Sequence, residues 1–115
     1  MLINNVELED IDILDADVAE KYENALETIE GIAEKVEGIK GSAAIRMQCT
    51  AIFNVFNVLF GEGTDKKIFG DKVNLLTCLK AFEELITVAN SKKEEVEKLA
   101  NKYSPNRVNR RGAKK

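Results

Sequence analysis

The sequence predicts a mainly α-helical protein with a three-helix core, a short N-terminal β strand or hairpin and a disordered basic C-terminal tail. Apolar residues recur at spacings of three and four over three long stretches, as they do on one face of a helix. The first fourteen residues instead alternate between apolar and polar side chains. We therefore expect one domain over residues 1–104, with the β segment at 1–14 and helices over 15–104, followed by a flexible tail at 105–115.

The β segment rests on the alternation of Val6 and Leu8 and then of Ile11 and Ile13 with polar neighbours. The alternation slips between Leu8 and Ile11, which indicates a turn or bulge at residues 9–10. The pair at residues 4–5 is Asn-Asn, and asparagine tolerates the positive φ of a tight turn. One or two short strands are expected, packed on the helices or paired with another chain.

Asp15 is a suitable N-cap for the first long helix, because its carboxylate can accept a hydrogen bond from the first turn. The helix is expected to end at Gly38–Gly41, and five glutamates occupy its outer face. Its apolar stripe consists of Val18, Tyr22, Ala25, Leu26, Ile29, Ile32, Ala33 and Val36.

The second helix, predicted over residues 42–60, is apolar on almost every side. Such a helix is either central in its domain or covered by another chain. With about three helices available, we expect part of its surface to bind another protein. The candidate protein-binding residues are Ile45, Ile52, Phe53, Val55, Phe56, Val58 and Leu59.

A glycine-containing turn at residues 61–65 leads into a short helical piece that ends at Phe69–Gly70, with Thr64 as its expected cap. The third long helix is predicted to open near Asn74 and to close at Ser104–Pro105. Its apolar stripe continues to the end, through Val96, Leu99, Ala100 and Tyr103.

Charge is distributed unevenly along the chain. Residues 1–40 carry twelve acidic and three basic side chains, whereas residues 105–115 carry five basic ones and no acidic one. This polarity fits head-to-tail contact with a second copy or with an oppositely charged partner, and it also fits a solvated helix face followed by a solubilising tail. The acidic remainder of the chain disfavours nucleic acid as the main partner. The residues expected to make charged contacts are Arg107, Arg110, Arg111, Lys114 and Lys115.

Composition argues against catalysis. The chain has no histidine, so it lacks imidazole acid–base groups and histidine metal ligands, and its two cysteines are too few for a cysteine zinc site. The turn at residues 61–65 lacks the phosphate-loop pattern and the calcium-loop pattern, and the aspartates at residues 10–17 are better explained by capping and solubility. We expect no catalytic residue, cofactor or metal.

No run of about 18 consecutive apolar residues is present, and the N-terminal residues lack the pattern of a signal peptide. These features predict a cytoplasmic protein with no membrane partner.

Three stretches of the sequence together resemble a known family. They are Asn5-Val6-Glu7-Leu8-Glu9, then Asp15-Ala16-Asp17 through Lys21-Tyr22-Glu23-Asn24-Ala25, and Phe60-Gly61-Glu62-Gly63-Thr64 through Lys67-Ile68-Phe69-Gly70-Asp71 with Asn74-Leu75. They resemble a family of small proteins, about 115 residues long, from prophages and long-tailed phages of Gram-positive bacteria. The resemblance spans residues 1–103 and leaves out the basic tail.

In size and helical character, these proteins are similar to tail-assembly chaperones, which bind the tape-measure protein and recruit tail-tube subunits. The resemblance therefore implies a non-catalytic tail-assembly chaperone in the host cytoplasm that can form homo-oligomers. It brings no active-site residues with it. Two alternatives remain open: a virion component, such as a head–tail connector or minor tail protein, and a small nucleic-acid-binding regulator.

Overall fold

The computed structural model describes residues 1–103 and confirms a mainly helical fold with an N-terminal hairpin. The short strands β1 (Leu2–Ile3) and β2 (Val6–Glu7) precede four helices. These are α1 (Ala16–Lys35), α2 (Gly41–Phe60), the short α3 (Thr64–Phe69) and α4 (Leu75–Tyr103). The tail residues predicted to make charged contacts, Arg107, Arg110, Arg111, Lys114 and Lys115, lie outside the described part of the chain.

The hairpin turns at the predicted pair of asparagines. Leu2 pairs with Glu7 and Ile3 with Val6, while Asn4 and Asn5 adopt φ values of 52° and 63°. Two successive residues with positive φ make a turn whose twist suits a two-residue hairpin. The Asn4 side chain donates to the Ile68 carbonyl at 3.0 Å, and its backbone N–H donates to Glu84 Oε1 at 3.1 Å. The turn is thereby tied to both α3 and α4.

The amino terminus closes the other end of the hairpin. The Met1 ammonium donates to the Leu8 carbonyl at 2.9 Å, to Asp10 Oδ1 at 3.2 Å and to Glu7 Oε1 at 3.3 Å. Beyond Glu7 no strand continues in the described chain, so the β segment is shorter than the predicted 1–14. Leu8, Ile11 and Ile13 nevertheless lie in the core.

Helix α2 is central, because α1, α3 and α4 all pack against it. Its buried residues Cys49, Ile52 and Phe56 meet Cys78 and Leu85 of α4 in one hydrophobic core. At the start of α1, Asp15 Oδ2 accepts from the Val18 N–H at 3.2 Å, as the sequence predicts. The composition of α2 predicts that it is either central in its domain or covered by another chain, and the structure shows the first of these.

The short helix α3 is capped differently from the prediction. Its N-cap is Gly63, which has φ of 92° and no side chain to cap with, and Thr64 is its first helical residue. The capping oxygen comes instead from the last turn of α2, where Asn57 Oδ1 accepts from the Asp65 N–H at 3.0 Å. The Thr64 hydroxyl donates to the Gly61 carbonyl at 2.7 Å and so stabilises the turn before the helix.

Helix α4 extends beyond the rest of the fold. Asn74 Oδ1 accepts from the Thr77 N–H at 3.0 Å and begins the helix. The stripe that faces the core ends at Ala89, the last fully buried residue of the described chain. The remaining fourteen residues to Tyr103 continue as helix for about 21 Å, at 1.5 Å per residue. The predicted stripe therefore continues beyond the core, since Val96, Leu99 and Ala100 are exposed. We call this segment, residues 90–103, the distal segment.

Candidate functional site

The predicted protein-binding residues of α2 fall into three groups. Ile52, Val55 and Phe56 are buried and pack against the chain's own helices. Phe53 and Leu59 are half-buried and pack against that core. Ile45 and Val58 are 36% and 54% exposed and remain accessible. Of the predicted binding residues, those on the exposed side of α2 therefore remain the candidates for contact with a partner.

Aromatic packing explains why the buried group is unavailable. The ring centroid of Phe56 lies 6.0 Å from that of Phe60 and 5.9 Å from that of Phe69. Phe53 approaches Phe69 at 5.0 Å. Offset and edge-to-face ring contacts at these distances stabilise a core beyond the burial of their area. The sequence places these phenylalanines on one stripe, and α3 supplies the ring that covers them.

The accessible side of α2 forms a groove with α1. Two adjoining depressions, of about 180 Å³ and 490 Å³, share Thr28, Ala51 and Asn54 and so make one continuous feature. All the residues that line it belong to these two helices. From α1 come Lys21, Asn24, Ala25, Thr28 and Ile32; from α2 come Ala43, Arg46, Met47, Thr50, Ala51, Asn54, Val55 and Val58. We call this feature the α1–α2 groove.

The lining of the α1–α2 groove is typical of a surface that accepts a helix. Its floor consists of alanines and aliphatic side chains, which are small enough for a second helix axis to approach to about 8–10 Å. Thr28 and Asn54 supply hydroxyl and amide groups along the middle. Lys21 and Arg46 supply positive charge, and no acidic residue lines the groove. The groove therefore favours an apolar helix face that carries carboxylates at its edges.

A second concavity of about 540 Å³ lies between the hairpin and α4. Leu2, Lys80, Glu83, Glu84, Thr87 and Val88 line it. Glu84 already accepts the hydrogen bond from the Asn4 N–H. Within residues 1–103, no group of three or more cysteine, aspartate or glutamate side chains is placed to hold a metal ion.

Three groups outside the α1–α2 groove have shifted pKa values. Hydrogen bonding to Asp10 raises the pKa of the Met1 amino group, and burial raises the pKa of the Tyr22 phenol. Burial, with Cys49 alongside, raises the pKa of the Cys78 thiol to about 12. A thiol of this kind is protonated at neutral pH and behaves as a small core hydrophobe.

Helix α2 is also long and apolar enough to cross a membrane, judged by length and composition. Its best eighteen-residue window has a mean hydropathy of 1.3, and 28% of that window is buried inside the fold. The core helix of a soluble domain meets the same criteria. Since α2 is the helix against which the other helices pack, its composition does not assign it to a membrane.

Two surfaces were not recognised from the sequence as exposed. Three of the five residues on the α1 side of the groove are polar, Lys21, Asn24 and Thr28, and the two apolar ones belong to the stripe that the sequence assigns to the core. On α2 a signal does exist: Ala43, Met47, Ala51, Asn54 and Val58 recur every three or four residues beside the core stripe. On α4, Val96 and Leu99 keep the spacing of the core residues but are 39% and 54% exposed.

The chain belongs to a family of unknown function, DUF6673, whose family model matches residues 4–114. No curated protein and no solved structure matches it significantly.

Proposed function

We propose that this member of the family is a non-catalytic assembly chaperone for the tail of a long-tailed phage. In this proposal it acts in the host cytoplasm and binds the tape-measure or tail-tube protein. The phage assignment rests on the resemblance of residues 1–103 described above. The binding mode rests on one structural observation, the uncovered α1–α2 groove.

The α1–α2 groove matches one helix in length. From Ala43 to Val58 the α2 side spans sixteen residues, whose fifteen rises correspond to about 22 Å or four helical turns. An amphipathic helix that lies in such a groove anchors itself through apolar residues spaced three and four apart. Exposed apolar helix faces aggregate when they are left uncovered. Covering them is the task of a chaperone.

The positive charges in the groove indicate which charges the bound helix carries. Lys21 and Arg46 lie at the lining of the groove without an acidic neighbour there. A helix with glutamate or aspartate beside its apolar stripe would pair with these cations, while a basic helix would be repelled. The groove therefore selects an amphipathic helix with acidic flanks.

Co-expression with the tape-measure protein of the same phage genome tests the proposal. The wild-type chain should co-purify with it as a soluble complex. Val58→Glu places a carboxylate on an exposed residue of the groove and should reduce the recovered complex at least about tenfold, since a charge is desolvated at the interface. Val73→Glu, at a 39% exposed residue outside the groove, is the matched control and should leave the complex intact.

Circular dichroism of both variants verifies that they are folded. Failure of the wild-type chain to co-purify with either the tape-measure or the tail-tube protein contradicts the proposal. Equal loss of binding in both variants contradicts the assignment of the groove. A chaperone leaves before the particle is complete, so peptide mass spectrometry of purified virions should not detect this chain. Detection in amounts comparable to the tail proteins would identify a virion component instead.

A further inference from the structure

We propose that the α1–α2 groove recognises an amide side chain, asparagine or glutamine, at the centre of the apolar face of the bound helix, with an acidic residue about seven or eight positions away on each side. This inference rests on the proposed binding of a helix in the groove, but not on the identity of the tail protein that supplies the helix. Two observations support it: the order of polar and charged residues along the groove, and the hydrogen-bonding groups that they leave unpaired.

The α1–α2 groove has a polar centre between two positively charged ends. Thr28, Ala51 and Asn54 line both depressions, so they mark the level at which the two depressions meet. Lys21 lines only the depression of about 180 Å³, whereas Arg46 lines only the depression of about 490 Å³. The two cations therefore lie toward opposite ends, with Thr28 and Asn54 between them.

The rise of an α-helix converts this order into distances. Lys21 precedes Thr28 by seven residues of α1, which corresponds to about 10 Å. Arg46 precedes Asn54 by eight residues of α2, which corresponds to about 12 Å. Helices α1 and α2 are joined by the short connection 36–40 and pack side by side, so they run in opposite directions. A helix bound along the groove thus meets one cation about seven residues before its central residue and the other about eight residues after it, or the reverse.

The polar side chains at the centre have unused hydrogen-bonding groups. Within residues 1–103, the Asn54 amide has no hydrogen-bond partner, so its two N–H donors and its oxygen are left to solvent. The Thr28 hydroxyl donates to the Asn24 carbonyl at 2.9 Å, which leaves the hydroxyl oxygen able to accept. Both Thr28 and Asn54 are exposed, so water can meet these needs in the free chain.

A docked helix displaces water from these groups. A polar group that enters an interface without a new partner weakens binding by about tenfold, because its desolvation is not compensated. An amide of the bound helix can accept from the Asn54 N–H and donate to the Asn54 or Thr28 oxygen. An aliphatic side chain can do neither, and a carboxylate has no proton to donate. The centre of the groove therefore favours asparagine or glutamine, much as one asparagine in the seam of a coiled coil fixes its register.

The cations at the two ends determine where the acidic residues lie. Neither Lys21 nor Arg46 makes an ion pair in the part of the chain that the structure describes. A carboxylate beside the apolar face of the bound helix can pair with each of them. Exposed ion pairs contribute little affinity, so these contacts are expected to act mainly by excluding basic helices. The central amide and the two acids together define one register of the helix in the groove.

Binding of designed peptides to the full-length chain tests the inference. The probe is a fluorescein-labelled amphipathic helix of about twenty residues, enough to span the groove. It carries leucine and alanine on one face, asparagine at the centre of that face, and glutamate beside the face near each end. In anisotropy titrations, replacement of the central asparagine by leucine should weaken binding about tenfold. Replacement of both glutamates by lysine should weaken it at least about tenfold at low salt.

Asn54→Leu should reverse the preference for the central residue. This variant removes the amide from the groove, so the leucine-centred peptide should bind more tightly than the asparagine-centred one, whose amide then loses its main partner. Asn90→Leu, at an exposed asparagine in the distal segment of α4, is the matched control and should keep the wild-type preference. Val58→Glu should weaken every peptide, because its charge lies in the groove. Circular dichroism verifies that all three variants are folded.

Three results would overturn the inference. If no peptide binds the wild-type chain up to about 1 mM, the groove does not accept such a helix. Equal affinity of the wild-type chain for the asparagine-centred and leucine-centred peptides removes the role of the central amide. A preference that persists in Asn54→Leu, or peptide binding that is unaffected by Val58→Glu, places the contact elsewhere.

Failure of this inference can be distinguished from failure of the proposed function. A chain that co-purifies with a tail protein but does not discriminate between the peptides retains the chaperone function and contradicts the central amide. A chain that shows the expected peptide preference but co-purifies with neither tail protein supports the recognition described here and contradicts the tail-assembly function.

Discussion

Replacement of Phe56 by alanine tests how α2 divides its apolar surface between the core and the groove. Phe56 is 0% exposed and lies between the rings of Phe60 and Phe69. Truncation of a fully buried phenylalanine costs about 3–5 kcal/mol, from lost burial and from the cavity that remains. Val58 is two residues further along and 54% exposed, so Val58→Ala should cost no more than about 0.5 kcal/mol.

Urea unfolding followed by circular dichroism measures this difference. A domain of this size has an m-value of about 1–1.5 kcal/mol per molar urea, so Phe56→Ala should lower the midpoint by roughly 2–5 M. Val58→Ala should lower it by less than about 0.5 M. If Phe56→Ala does not fold, Phe56→Leu provides the measurement, with an expected cost of about 1–1.5 kcal/mol.

Similar costs for the two positions would refute this division of α2. In particular, a loss below about 1 kcal/mol for Phe56→Ala would mean that its ring is not enclosed by α3 and α4. Residues of the buried stripe would then again be candidates for partner binding.

Three further predictions concern local interactions. The pKa of the Met1 ammonium is raised in the folded chain, so its contribution to stability is complete below the unfolded value of 8.0 and is lost as the pH rises through the folded value. The urea midpoint should therefore fall between pH 7 and pH 10, and by a smaller amount in the Glu7→Gln/Asp10→Asn double variant. An equal fall in both proteins would contradict the contact. Asn57→Ala removes the cap of α3 and should lower the free energy of unfolding in urea by about 1 kcal/mol. Asn54→Ala, in the groove, should be nearly neutral. A larger loss of stability in Asn54→Ala than in Asn57→Ala would disprove the capping role. Cys49 and Cys78 are fully buried, so iodoacetamide at pH 8 should label the native chain at least about 100-fold more slowly than the chain in 6 M guanidinium. Rapid labelling of the native chain would show that this part of the core opens.

Much of the fold follows from short-range patterns in the sequence. The asparagine turn, the Asp15 cap and the start of α4 at Asn74 all appear where local hydrogen bonding and backbone preference place them. These features depend on residues within a few positions of one another. Composition indicates that α2 is either central or covered by another chain, because no other stretch is apolar on so many sides, and the structure places it centrally.

The parts that could not be predicted depend on contacts between distant residues. Leu85 and Leu99 lie fourteen residues apart on the same stripe of α4, yet Leu85 is fully buried and Leu99 is 54% exposed, because only the first part of the stripe faces the core. Asn57 lies eight residues before Asp65, so the sequence favoured Thr64, which is nearer, as the cap of α3. The α1 side of the groove is mostly polar, and it forms a concave surface only because the small residues of α2 lie beside it.

Methyl NMR of the labelled chain with and without the tape-measure protein tests the central claim most directly. Binding in the α1–α2 groove should shift the methyl resonances of Ile32, Met47, Ala51 and Val58, which line it, and leave those of Ile68 and Val73 unchanged. Shifts confined to the hairpin and α3, or no shifts when the tape-measure protein is in excess, would contradict the proposal that this groove binds a helix of a tail protein.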